Sequence, residues 1–487
     1  MKTRDGRKRI QTFGARRPSV DRREFLAAAT GLASAALFTE KGASAAAKTL
    51  SAGAEPARPA PGKALALEGG KPVRSTPLDA NFPGPLYYDE EEQRELLDVL
   101  KRRAPFRWYG IGPKGGAPHQ CNDFEKEFAA RQRARYCVAV TSGTMALYTA
   151  MAALGAGPGD EVILPAWTWY SCYNAIVAAG ATPVFAEIDD SFNLDPADLE
   201  RHINPQTKVI MAVHIAGEPA DMDAIQATAR KHGAKVLEDC AQSMGASHKG
   251  RPVGSIGDCG IYSFQVCKTL SPGEGGAVVT SDPEVFERAA RFHDLGNLRA
   301  GHAQMLGQAP HLAQFLGGQF RMSEFTGAVM RAQLRKLDRI VADFRVRAER
   351  VTTGIRDLPG IHLRTSHDPQ GAVPSWVYLR TSSRAQRDRF IAALQAENIP
   401  ASPMEGSAIL PIAPYIEQKQ APALAAGWPS FATPHGRALK FGAACCPRTI
   451  EMRDRYVGVP MDPTYSDQDV ADIIAAIRKV YPAVAQA

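Results

Sequence analysis

The sequence predicts an α/β protein in which a mainly parallel sheet, covered by helices, is followed by a smaller α+β domain. Three observations lead there. Seven short, β-rich apolar runs alternate with helical patterns between residues 137 and 280. The runs are apolar throughout instead of alternating with polar residues, as strands buried on both faces require. The chain's 487 residues also exceed what one ordinary core accommodates.

In chain order, the first element is a charged helix over Glu90–Arg102. A Gly-rich loop at 109–116 follows and reads equally well as a ligand cover or a surface connection. The apolar runs occupy 137–140, 161–164, 182–185, 209–213, 235–237, 259–263 and 277–280. After Arg291 the pattern changes to a long helical stretch at 322–350, a strand-like segment at 375–379, and helices at 384–397 and 467–479. The expected division is a large domain over 81–290, then an interdomain helix and small C-terminal domain over 291–487.

Composition narrows the function. With 45% hydrophobic and 22% charged residues, the chain reads as soluble and globular. Its net charge is +7, but residues 1–45 hold ten Lys/Arg against four acids, so the body is nearly neutral. A nucleic-acid role loses its main support. The eight cysteines form no CxxC pair and no His/Cys cluster at metal-ligand spacing, so no metal site is expected and the thiols read as small buried side chains.

The basic start runs into Asp21-Arg22-Arg23-Glu24-Phe25-Leu26, an apolar stretch at 27–38 and the small-residue site Ala43-Ser44-Ala45. That order resembles a twin-arginine export signal over 1–45, with an apolar stretch too short for a stable membrane anchor. The expected localisation is periplasmic or exported, with an uncleaved basic tail on a cytoplasmic protein as the alternative. Residues 46–80, rich in Ala, Pro and Gly, are expected to form a flexible lead-in.

Four segments carry chemistry. Thr141-Ser142-Gly143-Thr144 follows a strand and opens an apolar helix, where free N–H groups suit a phosphate; an ordinary helix cap looks the same. Trp167-Thr168-Trp169-Tyr170 lies past the end of the next strand, positioned either to stack on a flat heterocycle or to pack an interface. The run 236–239 ends in the pair Glu238-Asp239, where an Asp either caps a helix or keeps a pyridine nitrogen protonated. Lys268 stands beyond the strand 259–263 and before Gly273-Glu274-Gly275-Gly276; partial desolvation there would lower its pKa and favour Schiff-base chemistry.

The order and spacing of these segments resemble those of fold-type-I pyridoxal-phosphate enzymes. Over about residues 65–482 the chain is similar to the DegT/DnrJ/StrS sugar aminotransferase family. Glu238-Asp239-Cys240-Ala241-Gln242, the stretch 262–268, Gly273-Glu274-Gly275-Gly276 and Arg321-Met322-Ser323-Glu324-Phe325 look like the branch acting on scyllo-inosose and related cyclitols. The resemblance implies a large domain with a seven-stranded sheet and pyridoxal 5′-phosphate as cofactor. Lys268 would form the Schiff base and shuttle the proton, and Asp239 would pair with the pyridine nitrogen. Trp169 would stack on the ring, Gly143, Thr144 and Ser263 would hold the phosphate, and Gln242 would touch the ring hydroxyl.

It further implies ping-pong transfer from glutamate or glutamine to a keto-sugar or keto-cyclitol, in a homodimer with active sites at the subunit interface. Two positions depart from the family pattern. Gln319 stands where relatives carry an Asn that reaches the neighbouring subunit's cofactor phosphate. Met404-Glu405-Gly406-Ser407 replaces an aromatic and basic acceptor segment. A dehydratase of the same family would carry His in place of Lys268. An exported sensor that binds the cofactor without turnover is the alternative from another class.

Overall fold

Each of the seven apolar runs forms a strand of one sheet: β1 (Tyr136–Val140), β2 (Glu161–Pro165), β3 (Thr182–Ala186), β4 (Thr207–Val213), β5 (Lys235–Asp239), β6 (Cys259–Ser263) and β7 (Gly276–Thr280). The computed structural model describes residues 64–79, 87–404, 407–420, 431, 436 and 438–485, so the export signal at 1–45 lies outside the described residues. The strand order is β1-β7-β6-β5-β4-β2-β3. β2 through β6 pair in parallel, and β7 runs antiparallel to both neighbours. Every residue of β1, β2, β6 and β7 is buried, which is why these runs carry no polar alternation.

Local chemistry places the helices. α1 (Glu90–Arg102) starts on a capping box between Asp89 and Glu92 and carries Lys101 and Arg102 in its last turn, matching the helix dipole at both ends. α2 (Gln120–Arg131), α3 (Gly143–Leu154), α4 (Tyr170–Ala178), α5 (Pro196–His202), α6 (Met222–His232), α7 (Pro283–Phe292) and α8 (Ala300–Leu306) complete the part of the chain around the sheet. The segment after α7 stays with the sheet. Tyr136 Oη donates to Leu306 O at 3.2 Å, and Thr141 N to Phe320 O at 2.9 Å.

The 32-residue helix α9 (Glu324–Ile355) bridges two cores. Met330, Leu337, Ile340 and Phe344 pack with the sheet-side cluster around Phe124, Phe128 and Phe264. Ala348, Val351 and Ile355 enter a second cluster formed with β8 (Trp376–Arg380), α10 (Arg384–Ala396), β9 (Tyr456–Pro460) and α12 (Asp467–Ala485). α11 (Pro447–Arg455) leads directly into β9. No helix among the described residues is long and apolar enough to cross a membrane.

The described part of the expected flexible lead-in is held in place instead. Leu65 and Leu78 are buried in the second core. Buried Glu397 accepts from Ala66 N at 2.9 Å and Val73 N at 2.8 Å, and pairs with Lys479 at 2.7 Å. Its Ala/Pro/Gly composition reports the stiffness of the free chain, whereas two leucines and a distant carboxylate decide its packing.

The Gly-rich loop at 109–116 folds back on itself at the surface of the chain. A side chain on Gly110 or Gly115 would collide with the facing backbone of the loop, and neither residue reaches the cavity described below.

Candidate active site

A cavity of about 430 Å³ opens past the carboxyl ends of β2, β4, β5 and β6, where ligands bind in open parallel sheets. It gathers Gly143, Thr144, Trp169, Asp239, Gln242, Ser263 and Lys268 from four separate segments. Gln319 is not among its lining residues: it is exposed, bridged to Asp294 on the chain's surface.

The start of α3 presents the residues expected from sequence at the cavity. Ser142 Oγ accepts from Met145 N at 3.1 Å, leaving the N–H groups of Gly143 and Thr144 free in the first turn. Thr144 Oγ1 and Ser171 Oγ share a hydrogen bond of 2.7 Å at the same end. Gly143 is required because β6 comes so close: a Cβ there would lie 2.5 Å from Ser263 Cβ. Free N–H donors, two hydroxyls and a site with no room for a side chain fit a phosphate group.

Asp239 ends β5 as a buried carboxyl. Its Oδ1 accepts from Ala241 N at 2.9 Å and its Oδ2 from the Cys172 thiol at 3.2 Å. Burial raises its pKa, with Ala241 N–H, Cys172, Lys268 and His214 acting the other way. A buried carboxyl in that setting has a carboxylate to regain from a cationic partner, as a protonated pyridine nitrogen provides.

Lys268 lies on the turn after β6, where Lys268 N donates to Gln265 O at 2.8 Å. Burial lowers its pKa and outweighs the opposing pull of Asp239, Cys267 and Cys172. Less protonation means more free amine, the form that attacks a carbonyl. The phosphate cup, the acidic anchor and the amine fit pyridoxal phosphate.

Trp169 caps the start of α4 and lines the cavity with half its surface, 53%, still exposed. Gln242 reaches the cavity between Ala216 N, which donates to its Oε1 at 3.1 Å, and Ser407 Oγ, which accepts from its Nε2 at 3.1 Å. Ala216 holds a left-handed conformation (φ 50°, ψ 42°), a strained backbone for a residue with a side chain, directly at the cavity wall. Of the segment 404–407, Glu405 and Gly406 lie outside the described residues.

Several lining residues had escaped notice in the sequence. Cys172 and Ser171 sit on the first turn of α4, where helical spacing after Trp169 would have pointed to them. Phe344, Trp376 and Asp462 come from α9, β8 and the residues after β9, through pairings that no local signal announces.

His214, Glu238 and Cys240 form the one metal-like group among the described residues, and its atoms are already committed. His214 Nδ1 accepts from Ala220 N at 3.0 Å, so Nε2 carries the proton toward Glu238 at 3.1 Å. Glu238 also accepts from the N–H groups of Gly254, Ile256 and Gly257. Glu238 thereby anchors the 254–257 turn.

Comparison with known proteins agrees with this geometry. The DegT/DnrJ/EryC1/StrS aminotransferase family matches residues 89–478. The spore coat polysaccharide biosynthesis protein SpsC of Bacillus subtilis (strain 168) is 34% identical over 402 residues, 80% of this chain and 94% of that protein. An L-glutamine:2-deoxy-scyllo-inosose aminotransferase of Streptoalloteichus tenebrarius is 38% identical over 293 residues, 59% of this chain and 67% of its own.

Among solved structures, 3-amino-5-hydroxybenzoic acid synthase superposes with a TM-score of 0.68 at 27% identity, covering 84% of this chain and all of the other. S. venezuelae DesV, solved in complex with a ketimine intermediate, gives 0.64 at 30% identity over 80% of this chain and 94% of its own. The chain belongs to the DegT/DnrJ/EryC1/StrS aminotransferase family and is a pyridoxal-phosphate-dependent aminotransferase.

Proposed function

We propose that this enzyme moves an amino group from glutamate or glutamine to a keto-sugar or keto-cyclitol in two half-reactions that share one cavity. The observation that carries the reading is that Lys268 and Asp239 line one cavity. A base with a lowered pKa and a buried carboxyl with a raised one line the same cavity and act on each other electrostatically. The family relationship and the amino-donor and keto-cyclitol names of its relatives support the substrate classes.

Each residue has a role in that scheme. Gly143, Thr144 and Ser263 hold the phosphate, and Asp239 keeps a proton on the pyridine nitrogen. The cofactor supplies an electron sink that stabilises negative charge at the substrate carbon. Trp169 covers one face of the ring, and Gln242 meets its hydroxyl. Lys268 bonds the cofactor between turnovers, then takes the proton from the substrate carbon and returns it.

The enzyme acts as a homodimer in this reading. Trp169 is half exposed at the cavity, and Gln319 lies outside the cavity of its own chain, so both suit contact with a second copy. The first 45 residues direct export. Supplying glutamate or glutamine to the purified holoenzyme tests the reaction: the visible absorption band of the bound cofactor disappears on amine transfer and returns with a keto-cyclitol. Retention of the band with every donor indicates a protein that binds the cofactor without turnover.

A further inference from the structure

The cavity has a second wall. β8 and β9 pair antiparallel with Trp376 opposite Pro460, and Met461 N continues the ladder to Ser375 O at 2.9 Å. This pairing brings Ser375, Trp376, Met461, Asp462 and Pro463 to the cavity that also holds the groups assigned to the cofactor.

Asp462 is 5% exposed. Its Oδ1 accepts from Thr464 N at 2.8 Å and Thr464 Oγ1 at 2.6 Å, closing a tight turn. Oδ2 has no hydrogen-bond or ion-pair partner among the described residues and keeps contact with solvent. Among the described residues, the charged groups lining the cavity are Asp239, Lys268, Glu274 and Asp462. With Asp239 and Lys268 given to the cofactor, Glu274 and Asp462 are left to meet the substrate, and both are acidic.

We propose that Asp462 selects substrates that present an uncharged hydrogen-bond donor at the end remote from the transferred nitrogen. The inference rests on the two-step reading above, in which donor and acceptor occupy the cavity in turn. One oxygen then serves both. It accepts from the side-chain carboxamide of glutamine in the first half-reaction and from a ring hydroxyl of the acceptor in the second. The second carboxylate of glutamate would meet like charge in a site shielded from water, where repulsion is strong. Trp376 lines the same cavity as Asp462, and an aromatic ring and a carboxylate in one cavity suit the apolar face and hydroxyl edge of a polyhydroxylated ring.

The donor half-reaction tests this without any acceptor. The rate at which the cofactor's visible band is lost is measured with glutamine and with glutamate, in the holoenzyme and in Asp462→Asn. Asparagine keeps the oxygen that Thr464 needs and removes the charge. The wild type is expected to prefer glutamine, and Asp462→Asn to narrow that preference by about tenfold, the scale of a hydrogen bond to a charged group. Asp462→Glu, which shifts the carboxylate and keeps its charge, is expected to go on excluding glutamate while reacting more slowly with glutamine. An unchanged ratio in Asp462→Asn, or a wild type that prefers glutamate, overturns the assignment alone. A wild type that reacts with neither donor overturns the proposed glutamate-or-glutamine donor along with it.

Discussion

The Cys172 thiol donates to Asp239 Oδ2 across 3.2 Å and contacts Thr168 Oγ1 at the same distance, so the carboxyl proposed to meet the cofactor is gripped from the side of α4. A carboxyl held at both oxygens presents a fixed lone pair to the pyridine nitrogen. Cys172→Val deletes the donor at nearly constant volume and should weaken cofactor binding by up to about tenfold, the scale of one hydrogen bond. Cys172→Ser should retain most of the affinity. Quenching of tryptophan fluorescence during cofactor titration measures both, and equal affinities for Val and Ser would remove Cys172 from the site.

Gly143 should tolerate no side chain. A Cβ there meets Ser263 Cβ at 2.5 Å, at the point where two strand ends and a helix start converge. Gly143→Ala is expected to cost about 1–3 kcal/mol of stability by overpacking. It should also weaken the phosphorylated cofactor far more than unphosphorylated pyridoxal. Ser263→Gly in the same chain should recover part of the stability, read by urea denaturation.

The acidity of Asp239 sets a pH dependence in the cofactor-free protein. Burial raises its folded-state pKa above the ordinary value of 3.8. Its contribution to stability is whole below 3.8 and is lost as pH rises through the raised value. Asp239→Asn has no carboxyl to deprotonate and escapes that loss. The variant's melting temperature minus the wild type's should therefore grow as pH increases above 3.8, by calorimetry at matched pH. A difference that stays flat with pH would contradict a buried, raised carboxyl.

Much of this architecture was legible because burial on both faces leaves a simple trace. Continuous apolar runs located all seven strands of the sheet, and the acidic start and basic end of 90–102 located α1. What stayed hidden depended on partners far away in the chain. The strand 456–460, Tyr-Val-Gly-Val-Pro, is short and continues straight out of α11, and its pairing with 376–380 spans about eighty residues. Trp376 and Asp462 became visible only with that pairing. The segment 64–79 was misread for the same reason, since the glutamate that holds it lies more than 300 residues away.

That tether should matter for stability. Glu397 is fully buried and accepts from two backbone N–H groups and Lys479. Glu397→Ala leaves a lysine and two N–H groups without their partner and should cost about 3–5 kcal/mol. Limited proteolysis should then cut within 64–79 before anywhere else in the body. Unchanged denaturation would mean that Leu65 and Leu78 hold the segment alone.

The central claim is that the Lys268 nitrogen bonds the cofactor. Holoenzyme reduced with borohydride, digested and mapped by mass spectrometry tests it most directly. The expected result is a single pyridoxyl-phosphate label on the peptide containing Lys268, with neither label nor visible band in Lys268→Ala. A label on a different lysine, or an undiminished band in Lys268→Ala, would contradict it.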